Sequence, residues 1–445
     1  MHSEAAATTL DLTRHWVGYA TIITFTLAYA VVLVEEFTHL RKSKPVMLAA
    51  GLIWAMIAAV YAQHGIDHAV EAAVRASLVE YAELLLFLLS AMTFVNAMTE
   101  RNVFVALRGW LLRRNLGYRS LFWVTGTIAF FLSPVIDNLT TALVLAAVVL
   151  ALGGNNKKFI SLACINIVVA ANAGGAFSPF GDITTLMVWQ KGHLQFGQFF
   201  VLFVPAVVNF LVPAALMHFA VPNEMPQGSR EAVPMKRGAR RIIALFALML
   251  LLAVGFHNFL HLPPFLGMMT GLAVLKFFGY YLKRTRASRA QAEAGDVQGF
   301  DIFDNVARAE WDTLLFFFGV IFCVGGLGFL GYLAHASEAI YTGWGATQAN
   351  IAIGIASAVI DNIPIMVAVL QMSPQMPEGQ WLLVTMTAGV GGSLLSIGSA
   401  AGVALMGQAK GNYTFFGHLR WTPAIALGYA ASIATHMWLN ASTFQ

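Results

Sequence analysis

The chain of 445 residues is 58% hydrophobic and only 11% charged, with a mean hydropathy of +0.70. Soluble domains carry roughly 25% charged residues, so these values exclude a soluble enzyme or binding module and describe a polytopic membrane protein. The net charge of +4 could suggest a nucleic-acid partner, but loop asymmetry across a lipid bilayer explains it better.

A helix needs about 20 apolar residues to cross the hydrocarbon. In the first half, full spans fit at 16–34, 46–63 and 78–98. The first of these contains Ala28-Tyr29-Ala30, which resembles a signal-peptidase site, but it lacks a basic n-region and is read as a span. Next comes 120–152, interrupted by Ser133-Pro134 and Asp137-Asn138. Its arms of about 13 and 15 residues are short for two crossings, which predicts a re-entrant hairpin with the polar motif at its tip. The segment 158–190 is broken by Asn172-Ala-Gly-Gly and by Pro179-Phe-Gly-Asp182. A span at 197–220 closes the half.

The second half repeats the series. Spans fit at 241–256, 263–282 and 311–333, a second hairpin at 346–372, a broken span at 380–410 and a last span at 421–440. Ser133-Pro-Val-Ile-Asp-Asn-Leu-Thr-Thr141 returns as Ser357-Ala-Val-Ile-Asp-Asn-Ile-Pro-Ile365. Ala173-Gly-Gly-Ala-Phe-Ser-Pro-Phe-Gly181 returns as Val390-Gly-Gly-Ser-Leu-Leu-Ser-Ile-Gly398, and the stretch from Glu80 to Phe87 returns from Glu310 to Phe317. The predicted fold is therefore all-α, with two inverted repeats, 1–225 and 226–445, each of five transmembrane helices plus one re-entrant hairpin. An odd number of spans inverts the second copy. The basic residues test this independently, because cytoplasmic loops collect Lys and Arg. With both termini outside, all of the 26 Lys and Arg but four fall on the cytoplasmic side; Arg14, Arg75 and Lys191 lie outside and Lys276 within a span. The first hairpin then enters from the cytoplasm and the second from outside.

A carboxylate beside a carboxamide is costly in hydrocarbon, so the doubled Asp-Asn motif marks a functional site. Inverted halves with broken helices meeting near the middle point to a secondary transporter rather than an enzyme. Unwound carbonyls and half-helix ends can ligate a small cation. Asp137, Asn138, Asp361 and Asn362 add oxygen ligands, with Asp182 and Asn172 in the first break. Ser133, Thr140, Thr141, Ser357 and Ser399 add hydroxyls, and hard cations prefer oxygen. No Lys or Arg is expected at the midplane, so nothing there neutralises the acids or grips an organic anion. That favours a cation as cargo, with Asp137 and Asp361 as the acids that hold it and no resident cofactor.

Asp137 and Asp361 also suit N-caps of the outgoing hairpin arms, and the two roles are compatible. In the aligned breaks Asp182 stands against Ser399 and Asn172 against Gly389, so the two halves are not equivalent. If Asp137 and Asp182 share a site, they titrate as a coupled unit. Glu80, Glu83, Glu310 and Asp312 lie near span ends and read as interfacial; His436 reads as a packed histidine. Cys164 and Cys323 read as small packing residues, with no disulfide or metal pattern.

The paired Asp-Asn hairpins, the Gly-Gly…Gly-Asp break and the stretch from His39 to Trp54 resemble the bacterial NhaD-type sodium/proton antiporters over nearly the whole chain. That family is related to dicarboxylate, citrate and arsenite carriers. The resemblance implies exchange of sodium or lithium ions for protons across the bacterial inner membrane, and a homodimer in which a transport unit moves by rigid-body steps. Dicarboxylate members have Ser-Asn-Thr-like tips; acids at 137 and 361 depart from them and suit cation exchange. The rival reading is a sodium-coupled carboxylate symporter of the same fold.

Overall fold

The computed structural model describes residues 10–38, 40–114, 116–225, 234–287 and 301–445. His39, Arg230 and Arg289 of the sequence reading lie outside the described residues. The protein is all-α. The main helices in chain order are α1 (Trp16–Leu33), α2 (Ser43–Gln63), α3 (Asp67–Glu100), α4 (Val103–Arg113), α5 (Tyr118–Ile136), α6 (Asn138–Gly153), α7 (Lys157–Gly175), α8 (Ile183–Gln190) and α9 (Phe203–His218). They continue with α10 (Ala239–Leu260), α11 (Pro264–Ala287), α12 (Trp311–Phe329), α13 (Ala346–Ala356), α14 (Asn362–Met372), α15 (Glu378–Gly391), α16 (Ala400–Ala409) and α17 (Thr422–Leu439). Among the described residues, nine helices are long and apolar enough to cross a membrane. The protein is a polytopic membrane protein.

The chain divides into two compact units that interleave in sequence. The first comprises Met1–Tyr81, Gly117–Pro226 and Asp312–Gln445; the second comprises Ala82–Leu116 and Gln227–Trp311. In the second unit, α10 and α11 pack through small residues: a methyl at Gly267 would lie 2.5 Å from the backbone of Leu252. Phe94, late in α3, packs against Phe246 of α10 with the rings tilted at 53° and their centroids 5.7 Å apart. Asn305 ties Glu100 and Asn96 together, donating to the Glu100 carboxylate and accepting from the Asn96 amide.

The first unit carries every predicted site residue. There α2 packs on α12: the Trp54 indole donates to the Phe322 carbonyl, and a methyl at Gly326 would press into Ile53. The two motif segments each make a helix–tip–helix hairpin, α5–α6 and α13–α14. Each hairpin lies against a helix that stops and restarts, α7–α8 and α15–α16.

Pro134 was expected to interrupt the first hairpin, but α5 runs through it to Ile136 and is 19 residues long. That is about 28 Å at 1.5 Å per residue, longer than the arm expected from the sequence. Proline has no N–H for the carbonyl four residues back, here Phe130. That carbonyl faces Gly174, where any Cβ would collide with it. The Ser178 hydroxyl also donates to the Pro134 carbonyl at 2.8 Å, so the neighbouring break supports the irregular turn. In the second hairpin both arms are 11 residues, about 16 Å each, too short to cross alone.

Candidate cation site

The two hairpin–break pairs use the same contacts at corresponding positions. Gly174 meets the Phe130 carbonyl; Gly391 meets the Gly354 carbonyl in the same manner. A Cβ at Gly175 would lie 2.6 Å from the Gly181 carbonyl, and one at Gly392 would lie 2.7 Å from that of Gly398. Both breaks therefore fold back on themselves through a glycine pair that admits no side chain. The Ser133 hydroxyl donates to Ala171 O at 2.6 Å, and that of Ser357 donates to Ala388 O at 2.7 Å. These two serines were candidate ligands. Their protons are used to pin each hairpin to its broken helix.

The breaks end on caps. Asp182 accepts from the backbone N–H of Thr184 at 3.1 Å and starts α8; Ser399 accepts from Gly402 N–H at 3.3 Å and starts α16. Asp137 accepts from Thr140 N–H at 2.8 Å, and Asp361 from Ile363 N–H at 3.4 Å. The capping role expected of Asp137 and Asp361 is therefore real, and the structure adds caps at Asp182 and Ser399.

Around these caps five predicted residues join one hydrogen-bonded cluster. Asn138 Nδ2 donates to Asp182 Oδ2 at 2.9 Å and to Asn172 Oδ1 at 3.0 Å. Asn362 Nδ2 donates to the same Asp182 Oδ2 at 2.9 Å. Asn172 Nδ2 donates to Ser399 Oγ at 3.1 Å and to Ser393 Oγ at 2.8 Å. One carboxylate oxygen is thus held by an amide from each motif. Asp182 is only 3% exposed. A buried carboxylate is costly unless hydrogen-bonded, and the amides together with the Thr184 backbone supply those bonds. Asp182 does not belong to the first motif alone; it stands between both.

Asp137 and Asp361 stand at the hairpin tips, each one residue before an asparagine that meets Asp182. Among the described residues, no three His, Cys, Asp or Glu side chains gather into a metal-type cluster. Asp137 has φ +91° and ψ 158°, a region that L residues other than glycine rarely adopt. Its carboxylate also accepts from the Thr140 hydroxyl at 2.8 Å, so Thr140 holds Asp137. Thr141 Oγ1 is buried and has no hydrogen-bond partner among the described residues.

The second motif overturns one expectation. A lysine does stand beside an acid there: Lys42 Nζ donates to Asp361 Oδ2 at 3.4 Å, with side-chain exposures of 15% and 14%. Lys42 precedes α2 and counted among the loop cations; its long stem carries the ammonium inward over the Phe316 ring, 4.4 Å from the centroid. Nothing local in the sequence signals this pairing, because the partners are 319 residues apart.

Other residues enter that the sequence reading passed over. Thr184 is fully buried; a methyl at Gly389 would lie 3.9 Å from its Oγ1 and 3.7 Å from Asp182 Oδ2. A signal was available, since Asp182-Ile-Thr-Thr185 echoes Asp137-Asn-Leu-Thr-Thr141. Ser393 follows the glycine pair at 391–392 and shares Asn172 with Ser399. Of the interfacial acids, Glu80 pairs with Lys191 at 3.0 Å and Asp312 accepts from the Ser43 hydroxyl. His436 is packed and satisfied, as expected: its ring nitrogens meet the Gly379 carbonyl at 3.1 Å and the Asn440 amide at 2.8 Å. Cys164 and Cys323 are buried and unbridged.

A profile of the citrate transporter family matches residues 27–389. The Na(+)/H(+) antiporter NhaD of Alkalimonas amylolytica is 58% identical, over 99% of this chain and 94% of its own. The Na(+)/H(+) antiporter NhaD of Vibrio cholerae is 56% identical, over 98% and 94%. Sodium/proton antiporter 1 of Arabidopsis thaliana is 31% identical, over 98% and 76%.

Proposed function

The chain belongs to the NhaD family of Na(+)/H(+) antiporters, within the citrate transporter family, and from that premise we propose that Asp182, flanked by Asp137 and Asp361, is where sodium and proton compete. The protein exchanges sodium ions for protons across a membrane. The observation that carries the site assignment is the single Asp182 oxygen bonded by the amides of both motifs. A carboxylate that binds either a proton or a sodium ion couples the two by competition. Asn138 and Asn362 suit both states. Each donates an N–H to the ionised acid, and a rotated amide offers oxygen to a hard cation. The Thr184 hydroxyl and the unwound carbonyls of the two breaks are further oxygen donors.

The finer arrangement follows the same reading. Residues 1–225 and 226–445 form two inverted repeats, with re-entrant hairpins at 120–152 and 346–372 and broken helices at 158–190 and 380–410. The matching glycine–carbonyl and serine–carbonyl contacts support it. The protein sits in the bacterial inner membrane with both termini outside, takes sodium or lithium as its cargo cation, and works as a homodimer. Cysteines placed at Lys157 and at Glu378 should label only from the cytoplasm and only from outside, respectively; labelling of both from one face rejects the inverted topology.

A second reading, sodium-coupled carboxylate symport, is favoured by the citrate transporter profile. Acids at the site disfavour a dianion, and the nearby lysine is already engaged by Asp361. Everted vesicles decide between them. An antiporter collapses an imposed pH gradient on addition of sodium with no organic substrate present, whereas a symporter does nothing until a carboxylate is added.

A further inference from the structure

Lys42 has no part in the exchange described so far, yet it is the cation paired with one of the site's three acids. Its setting is specific. The side chain is mostly buried, leans on Phe316 and ends on a hairpin tip that belongs to the other half of the chain. Asp361 uses its Oδ1 to cap α14 and its Oδ2 to meet Lys42, so both oxygens are engaged. The fully buried Asn362, next in sequence, already donates to Asp182. Lys42 therefore reaches the cluster through one peptide unit.

We propose that Lys42 is a tethered stand-in for the transported cation: its ammonium holds Asp361 when no sodium is bound and must be displaced for sodium to bind. This inference rests on the sodium/proton exchange proposed above and concerns affinity rather than the fact of exchange. Two considerations lead to it. A buried carboxylate that binds cargo must lose it again, and leaving it without a counter-charge is strongly unfavourable. A lysine on a flexible stem, anchored by its ring contact, can cover the acid in the cargo-free state and swing away without leaving the protein. The bound ammonium then reduces the fraction of protein competent to take sodium, and apparent affinity falls by that fraction. Lys42 thus acts as a positioning residue that sets the sodium concentration at which the carrier works and favours release. Lys42 meets the acid of the second motif, so the control acts there.

The test uses full-length protein in vesicles with a sodium titration of proton release. Wild-type exchange is recorded first; its absence would reject the antiport reading itself, separately from this proposal. With wild-type exchange present, Lys42→Met should lower the KM for sodium about tenfold without raising kcat, because the competitor is gone while release is no longer assisted. Lys42→Arg, which keeps a cation, should stay close to the wild-type KM. An unchanged or raised KM in Lys42→Met overturns the proposal; a raised KM with a lower melting temperature is what a purely structural clamp would give. If Lys42→Met does not insert, wild-type protein still decides the matter through the rate of Lys42 acetylation, read by mass spectrometry in sodium against choline. Faster acetylation in sodium is expected, and an unchanged rate in vesicles that exchange sodium overturns the idea.

Discussion

The α5–α6 hairpin with its break at 176–182 and the α13–α14 hairpin with its break at 392–399 share a frame and differ in chemistry. In both, a glycine of the broken helix receives a hairpin carbonyl, a glycine pair closes the break, and a serine hydroxyl ties hairpin to helix. Every one of these contacts involves backbone. The side chains aimed inward have diverged: Asp182 corresponds to Ser399, Asn172 to Gly389, and the acids at the tips are held by Thr140 in one case and by Lys42 in the other. Two hairpin–break pairs can thus keep the same steric requirements while the fully buried charge stands in only one of them. A single buried carboxylate then accepts from the amides of both motifs, while the other two acids stay at the half-buried tips.

The largest effect should come from removing that carboxylate. Asp182→Asn keeps size and the cap on α8 but leaves Asn138 and Asn362 facing a neutral amide. Sodium-dependent proton release should fall to background, a loss of about a hundredfold or more, on the expectation that exchange needs a charge that alternates between proton and sodium. Melting temperature in detergent should hold or rise, since a buried charge is relieved. Asp137→Asn and Asp361→Asn should also abolish exchange if the tip acids are part of the carrier. Near-wild-type turnover in Asp182→Asn with loss only in the tip mutants would move the carrier role from the shared acid back to the motifs.

The shared frame can be broken next. Gly174→Ala and Gly391→Ala each place a methyl against a carbonyl oxygen of the neighbouring hairpin, and backbone cannot swing away as a flexible side chain can. Each should cost about 1–3 kcal/mol or more, read as a lower melting temperature or a loss of inserted protein. The prediction is that the two are alike. A severe defect at one glycine with tolerance at the other would show that the halves share less than their contacts suggest.

Much of this frame was legible in the sequence because it depends on residue types that leave local marks. The Asp-Asn motifs, the glycine runs and the apolar lengths mark hairpins and breaks directly, and the caps at Asp137 and Asp361 follow from residue chemistry. The course of α5 through Pro134 was not legible, since it depends on support from Gly174 and Ser178 in another helix. The central place of Asp182 was hidden for a similar reason. Local alignment assigned it to the first half, while its second donor, Asn362, comes from 180 residues away. The grouping into units was also not local, because Ala82–Leu116 associates with Gln227–Trp311 across the long first-unit insertion.

A smaller effect separates pinning from ligation. Ser133→Ala and Ser357→Ala each delete one side-chain hydrogen bond to a buried carbonyl, worth about 1 kcal/mol. Ser133 also lies 3.4 Å from Gly181 O, so its loss touches the break as well as the helix. Both variants should melt a few degrees lower, with Ser133→Ala at least as affected as Ser357→Ala. If stability is unchanged while sodium affinity drops, these hydroxyls are ligands after all, as the sequence reading first placed them.

The smallest structural change addresses the sharpest difference between the halves. Gly389 takes the place that Asn172 occupies in the first broken helix, and a methyl there would sit 3.7 Å from Asp182 Oδ2 and 3.9 Å from Thr184 Oγ1. Those are ordinary contact distances, so Gly389→Ala fits without moving backbone. Within α15, alanine should even stabilise the helix by about 0.5–1 kcal/mol. The methyl would nevertheless crowd the Asp182 oxygen and put apolar surface beside the carboxylate that is to receive the ion. Gly389→Ala is therefore expected to melt at or above the wild-type temperature while the KM for sodium rises about threefold, an effect of under 1 kcal/mol. Stability and affinity moving in opposite directions is the signature of space kept open for an ion rather than for packing. If both stay at wild type, the glycine serves only the fold, and the ion reaches Asp182 from the other side of the cluster.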